Sequence, residues 1–125
     1  MPGYTGDGGL ATEAEINGPQ GIALDTTGNI YIGDLTSIRK INTSGVISTV
    51  AGSGSSGFSG DGGLATSALL SDIKAIVIDK FGNIIFADAG NNRIRKIVIS
   101  TSQVTTFAGN GTPGFADGIA VATTS

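Results

Sequence analysis

Apolar residues along this chain come in short bursts, none long enough to build a stable helix with a 3.6-residue period. In the first half they are residues 22–24, 30–32, 38–41 and 46–50; in the second, 76–78, 84–86, 94–99 and 104–107. Rich in Ile, Val, Phe and Tyr, they predict β-strands. Asp-x-x-Gly-Asn separates the first burst from the second, at Asp25 to Asn29 and at Asp79 to Asn83. There the carboxylate can accept backbone N–H groups two residues on, and Gly and Asn supply positive φ, which predicts a hairpin. Asp34 and Asp88 close the second burst, and turns at residues 43–45 and 100–102 join the last two strands. The expected fold class is all-β, two four-stranded antiparallel meanders.

The two meanders are copies. GDGGLAT occurs at residues 6–12 and again at 60–66. At the same shift of 54, Asp25 falls on Asp79, Gly28-Asn29-Ile30 on Gly82-Asn83-Ile84, and Asp34 on Asp88. Ile38 to Ile41 then matches Ile94 to Ile97 at 56, and Ile47 to Gly52 matches Val104 to Gly109 at 57. The insertions fall between matched blocks, as loops joining fixed strands tolerate. Gly114-Phe115 and Ala122-Thr123 echo Gly57-Phe58 and Ala65-Thr66, so a third unit begins. The expected division is linker 1–20, first blade 21–52, linker 53–74, second blade 75–109 and the start of a further linker at 110–125. Residues 10–16 and 64–70 each have room for about one helical turn, too little for a free-standing helix.

These motifs resemble the NHL repeat family of β-propellers. The resemblance is carried by Gly21-Ile22-Ala23-Leu24-Asp25, Gly28 to Asp34, Asn91-Asn92-Arg93-Ile94-Arg95-Lys96-Ile97 and the linker Gly57 to Gly63. It implies an NHL-type β-propeller, commonly six blades in a ring, with two blades here joined by a long Gly-rich linker and with loops forming a binding face. Two departures mark the units as diverged. Thr36-Ser37 replaces Asn-Asn-Arg before Ile38, and Ile73-Lys74-Ala75 stands where Pro19-Gln20-Gly21 stood. Blades are apolar on both faces, so two alone would leave two apolar faces in water. The expected partners are therefore other copies of the chain or further propeller blades, with an unknown protein or carbohydrate ligand on the loops.

Composition narrows the function. The net charge of -3 and pI near 4.5 exclude a basic nucleic-acid-binding face. Five of the seven basic residues, Arg39, Lys40, Arg93, Arg95 and Lys96, share one repeated strand position and read as solvating the outer part of a sheet. No apolar run is long enough for a membrane span, and residues 1–9 lack the pattern of a leader. Without Cys or His there is neither a disulfide framework nor a His-based nucleophile or lyase site.

The carboxylates recur with the repeat, which favours turn and cap roles, because a residue needed once for catalysis need not recur. The weaker alternative is a Ca²⁺ site in the GDGG linkers, with Asp7 and Asp61 as candidate ligands. No catalytic or cofactor-binding residue is identified. Asn42-Thr43-Ser44 and Asn110-Gly111-Thr112 are candidate N-glycosylation sequons, though the abundance of Ser and Thr makes such triplets expected by chance. Asn91, Asn92 and Arg93 form the candidate binding loop. The expected function is a non-enzymatic scaffold for self-assembly or ligand binding, outside the cell or at its surface. Alternatives are a glycosylated unit of an extracellular fibre or surface layer, and a fragment of a propeller lactonase or lyase whose catalytic residues lie in other blades.

Overall fold

The computed structural model describes residues 4–54 and 57–111. A two-stranded antiparallel ribbon, β1 (Tyr4–Thr5) and β2 (Glu15–Ile16), opens the chain. The first four-stranded sheet follows in sequential order: β3 (Gly21–Leu24), β4 (Ile30–Gly33), β5 (Ile38–Ile41) and β6 (Ile47–Ala51). The second repeats it with β7 (Ile73–Ile78), β8 (Ile84–Asp88), β9 (Arg93–Val98) and β10 (Gln103–Ala108). Within each four-stranded sheet every strand pairs antiparallel with its neighbours, so both sheets are the meanders the sequence predicts. The second blade starts at Ile73, two residues before the expected boundary.

The hairpins form as the Asp-x-x-Gly-Asn pattern requires, with one difference. Asp25 Oδ1 accepts the N–H groups of Thr27, Gly28 and Asn29, each at 2.9 Å. Positive φ falls on Gly28 (103°) and Gly82 (87°) and not on the Asn. Asn29 and Asn83 instead donate their side-chain amides to the second oxygen of Asp25 and Asp79.

The linkers are ordered and belong to the blade that follows them. Gly8 N–H donates to Ile47 O, and Ile47 N–H donates to Gly9 O; Gly62, Gly63 and Val104 repeat the exchange in the second unit. Each GDGG segment thus pairs with the outermost strand of its own blade, covering an edge that would otherwise be open. The helical turns expected in the linkers are single 3-10 turns at Ala11–Glu13 and Ala65–Ser67.

One core holds the blades together. Strand β7 of the second blade packs across β3 and β4 of the first. Tyr31, Ile38 and Ala51 meet Ile73, Ile76, Ile84 and Phe86, with Ala65, Ala68 and Leu70 of the linker filling the same cluster. Backbone bonds cross the junction, among them Asp72 N–H to Leu35 O at 2.7 Å, Ile73 N–H to Asp34 O at 3.1 Å, and Gly52 and Ser53 N–H to Ala65 and Ala68 O at 2.8 and 2.9 Å.

Candidate functional site

The arginines of the third strands overturn the expectation that they solvate a sheet. Arg39 and Arg95 are 1% and 0% exposed. Arg95 lies opposite Phe86 and Thr106 on the face that meets the first blade, and its guanidinium reaches outward under the linker. Nη1 donates to Leu69 O and Asp88 Oδ2, and Nη2 to Ser59 O and Asp61 Oδ1, all between 2.7 and 3.1 Å. Arg39 repeats this with Glu15 O and, at 2.8 Å, Asp7 Oδ1. A buried guanidinium is tolerated when its donors meet carboxylates and carbonyls, and here that need fastens each linker to its blade. The repeat alone could not separate this from a solvated stripe; the signal was the matching recurrence of Asp in the linker and Arg in the strand.

Asp7 and Asp61, the weak calcium candidates, direct both oxygens to their own blade. The second oxygen of Asp7 accepts Thr49 N–H at 3.1 Å, and that of Asp61 accepts the Thr106 hydroxyl. Burial alone would raise the Asp7 pKa, but hydrogen bonding from Thr49 and the Arg39 guanidinium bring it below the ordinary value. Among the described residues no group of three or more His, Cys, Asp or Glu stands together. The GDGG backbone is paired with the blade edge.

The two strand-end carboxylates are buried but served differently. Asp88 accepts Ser71 N–H, the Asn91 amide and Arg95. Asp34 directs Oδ1 to Thr36 N–H, Ser37 N–H and the Ser37 hydroxyl, while Oδ2 has no hydrogen-bond partner among the described residues. In the hairpin below, Asn29 holds Asp25 down to about 2, overcoming the effect of desolvation, with Tyr31 O–H and the backbone adding to it. Burial, and then the Asp25 carboxylate, push the Tyr31 phenol up to about 12.

The candidate binding loop performs structural work. Asn91 donates to Gly57 O and Asp88, tying linker to blade. Asn92 ends a 3-10 turn in the left-handed conformation, φ 55°. Arg93 stacks 3.8 Å from the Phe58 ring and donates to Asn110 O. Of the sequons, Asn42 is exposed in a turn, where its Oδ1 accepts Ser44 and Val46 N–H. Asn110 is exposed too, but its sequon runs on to Thr112, outside the described residues.

Among the described residues, what remains open is the outer face of each blade. Ile22 and Leu24 of β3 are 67% and 63% exposed, whereas Ile76, the counterpart of Ile22, is 8% exposed against the first blade. On the second blade Val77 is 61% exposed, and beside it lie half-buried Ile85, Ala87 and Ile94. A groove of about 330 Å³ lies along the top of that face, lined by Ala87, Ala89, Asn92, Arg93, Ile94, Ala108 and Gly109. In the first blade the counterpart positions Gly33, Ile38, Ala51 and Gly52 lie beneath Ile73 and the linker, while Leu35 stays 40% exposed.

Two four-stranded meanders stacked face to face, each edged by a GDGG strap, have the architecture of β-propeller blades. The Teneurin NHL domain model matches residues 2–57, the first linker and blade. The chain is similar to Teneurin-3 of Danio rerio (58% identity over 48 residues, 38% of the chain) and to Teneurin-1 of Homo sapiens (54% over 50, 40%). Teneurin-m of Drosophila melanogaster is 38% identical over 55 residues, 42% of the chain. In each case the match spans 2% of the relative's length. The fold is similar to a solved streptogramin B lyase, with TM-score 0.55 and 18% identity over 73% of this chain and 26% of that one. At that identity the likeness shows the propeller fold alone. Among the described residues no helix is long and apolar enough to cross a membrane, which says nothing of a β-barrel.

Proposed function

We propose that the chain is a non-enzymatic scaffold module whose activity is blade-to-blade association through its two open faces. The observation that carries this is the contrast between equivalent positions: Ile76 is covered by the first blade, and Ile22 is not. The face of the first blade bearing Ile22 and Leu24 repeats the one that the second blade buries. The face bearing Val77 and Ile94 repeats the one that receives it. They are therefore complementary to one another, and their contact is head-to-tail. Burying Ile22, Leu24 and Val77 contributes about 1.5–3 kcal/mol each. That sum is comparable to the low end of the roughly 4–15 kcal/mol cost of association, so a reversible interaction is expected.

Ile22→Glu or Val77→Glu should abolish association while leaving the monomer folded, since both side chains are exposed within it. Light scattering with far-UV circular dichroism tests this; variants that associate like the parent would contradict the proposal.

A location outside the cell or at its surface is proposed with this function, supported by the similarity to teneurins and by the exposed Asn42 sequon. Expression in a secretory host should then add glycan mass at Asn42, and an unmodified peptide would count against it.

A further inference from the structure

We infer that the groove on the second blade is shaped to take the first unit of another copy of this chain, with Pro19 seated over Ala87. This deepens the association reading above and rests on it. The argument comes from the one junction the chain already contains. There Ile73 crosses the first blade at Gly33, and a methyl placed on Gly33 would stand 2.4 Å from Ile73 Cγ2 and 3.1 Å from Ile73 Cβ and Ile76 Cδ1. Only glycine lets the branched side chain pass. The second blade carries that methyl, because the counterpart of Gly33 is Ala87. A second-unit blade, bringing isoleucine, cannot repeat the internal junction there. A first-unit blade can, because Pro19 occupies the position of Ile73 and has no Cγ2 branch, so the remaining 3.1 Å contacts call for shifts of a few tenths of an ångström.

The rest of the groove agrees. In the internal junction it is filled by the Ala65 and Ala68 segment, whose carbonyls accept Gly52 and Ser53 N–H at 2.8 and 2.9 Å. The first unit has alanine at both counterparts, Ala11 and Ala14, and both are partly accessible in the monomer; the chain's own echo of that segment, Ala122-Thr123, lies outside the described residues. Pro19 itself is exposed. The same exchange of large for small operates inside the units: Gly18 leaves room for Leu35, whose Cγ would be 3.1 Å from a methyl there, whereas Asp72 faces the smaller Ala89. Without an N–H, Pro19 cannot reproduce the Ile73 bond to the strand-end carbonyl. The junction between copies keeps the counterparts of the other bonds, from Gly18 N–H to Ala89 O and from Gly109 and Asn110 N–H to Ala11 and Ala14 O, and with that one bond missing it is weaker than the internal one.

The test is sedimentation velocity over a concentration series for the parent chain, Pro19→Ala, Pro19→Ile, Ala87→Gly and the double variant P19I/A87G. Pro19→Ile should weaken association roughly tenfold or more through overpacking against Ala87. Pro19→Ala should associate at least as well as the parent, and P19I/A87G, which recreates the Gly33–Ile73 pair, should recover or exceed it. Unchanged association in Pro19→Ile, or a double variant as weak as Pro19→Ile, would overturn the inference and leave the scaffold reading intact. Five chains that all stay at 12.4 kDa would overturn both, and the groove would then belong to a blade of another sequence.

Discussion

The residues that matter most to this chain are those whose neighbours leave them no alternative. Arg95 is buried between Asp61 and Asp88, and removing it strands a carboxylate that is 0% exposed. Arg95→Met should therefore cost about 3–5 kcal/mol of stability, measured by urea unfolding; a cost below 1 kcal/mol would show that the pair does not fasten the linker. Gly33→Val should cost about 1–3 kcal/mol or more by pressing on Ile73, and the same measurement checks it. The acid response follows from Asp25, whose folded pKa is depressed to about 2. A depressed carboxylate contributes stability above its unfolded pKa and loses it as pH falls through the folded one. The urea midpoint should thus fall between pH 4 and pH 2, and Asp25→Asn should flatten that fall. Asp7 and Asp79 act in the same direction. The turn role of Asp25 was legible because Asx hairpins are local. Burial of Arg39 and Arg95 was not, because it depends on a linker segment more than thirty residues away in the chain.

At the scale of elements, each strand of the two four-stranded sheets was legible to within a few residues, because short Ile/Val runs between turn residues have few other ways to be satisfied. What the pattern concealed was the role of GDGG. A glycine-rich stretch reads as a loop, and nothing in its composition reveals that its N–H and C=O groups complete the ladder of β6 or β10. The β1–β2 ribbon within the expected linker was hidden for the same reason. Since Gly8 and Gly62 have φ of 87° and 86°, replacing either by Val should strain the strap and weaken protection of the outer strand. Hydrogen exchange at Ile47 or Val104 reads this directly, and unchanged protection would mean the strap is dispensable.

At the scale of the whole molecule, the repeat explains both what is complete and what is open. Two units bury one junction and leave its two halves exposed, one on each outer face, and the sequence alone already implied that imbalance. It did not reveal which kind of blade each face accepts. That depends on contacts such as Gly33 with Ile73, which are 40 residues apart and acquire meaning only when stacked. The central claim, that these faces are interfaces between blades, is tested most directly by the native mass of the unmodified chain across a concentration series. The account predicts association into species at whole multiples of 12.4 kDa, three copies being the count that closes six blades. A folded chain that remains at 12.4 kDa at every concentration would contradict it.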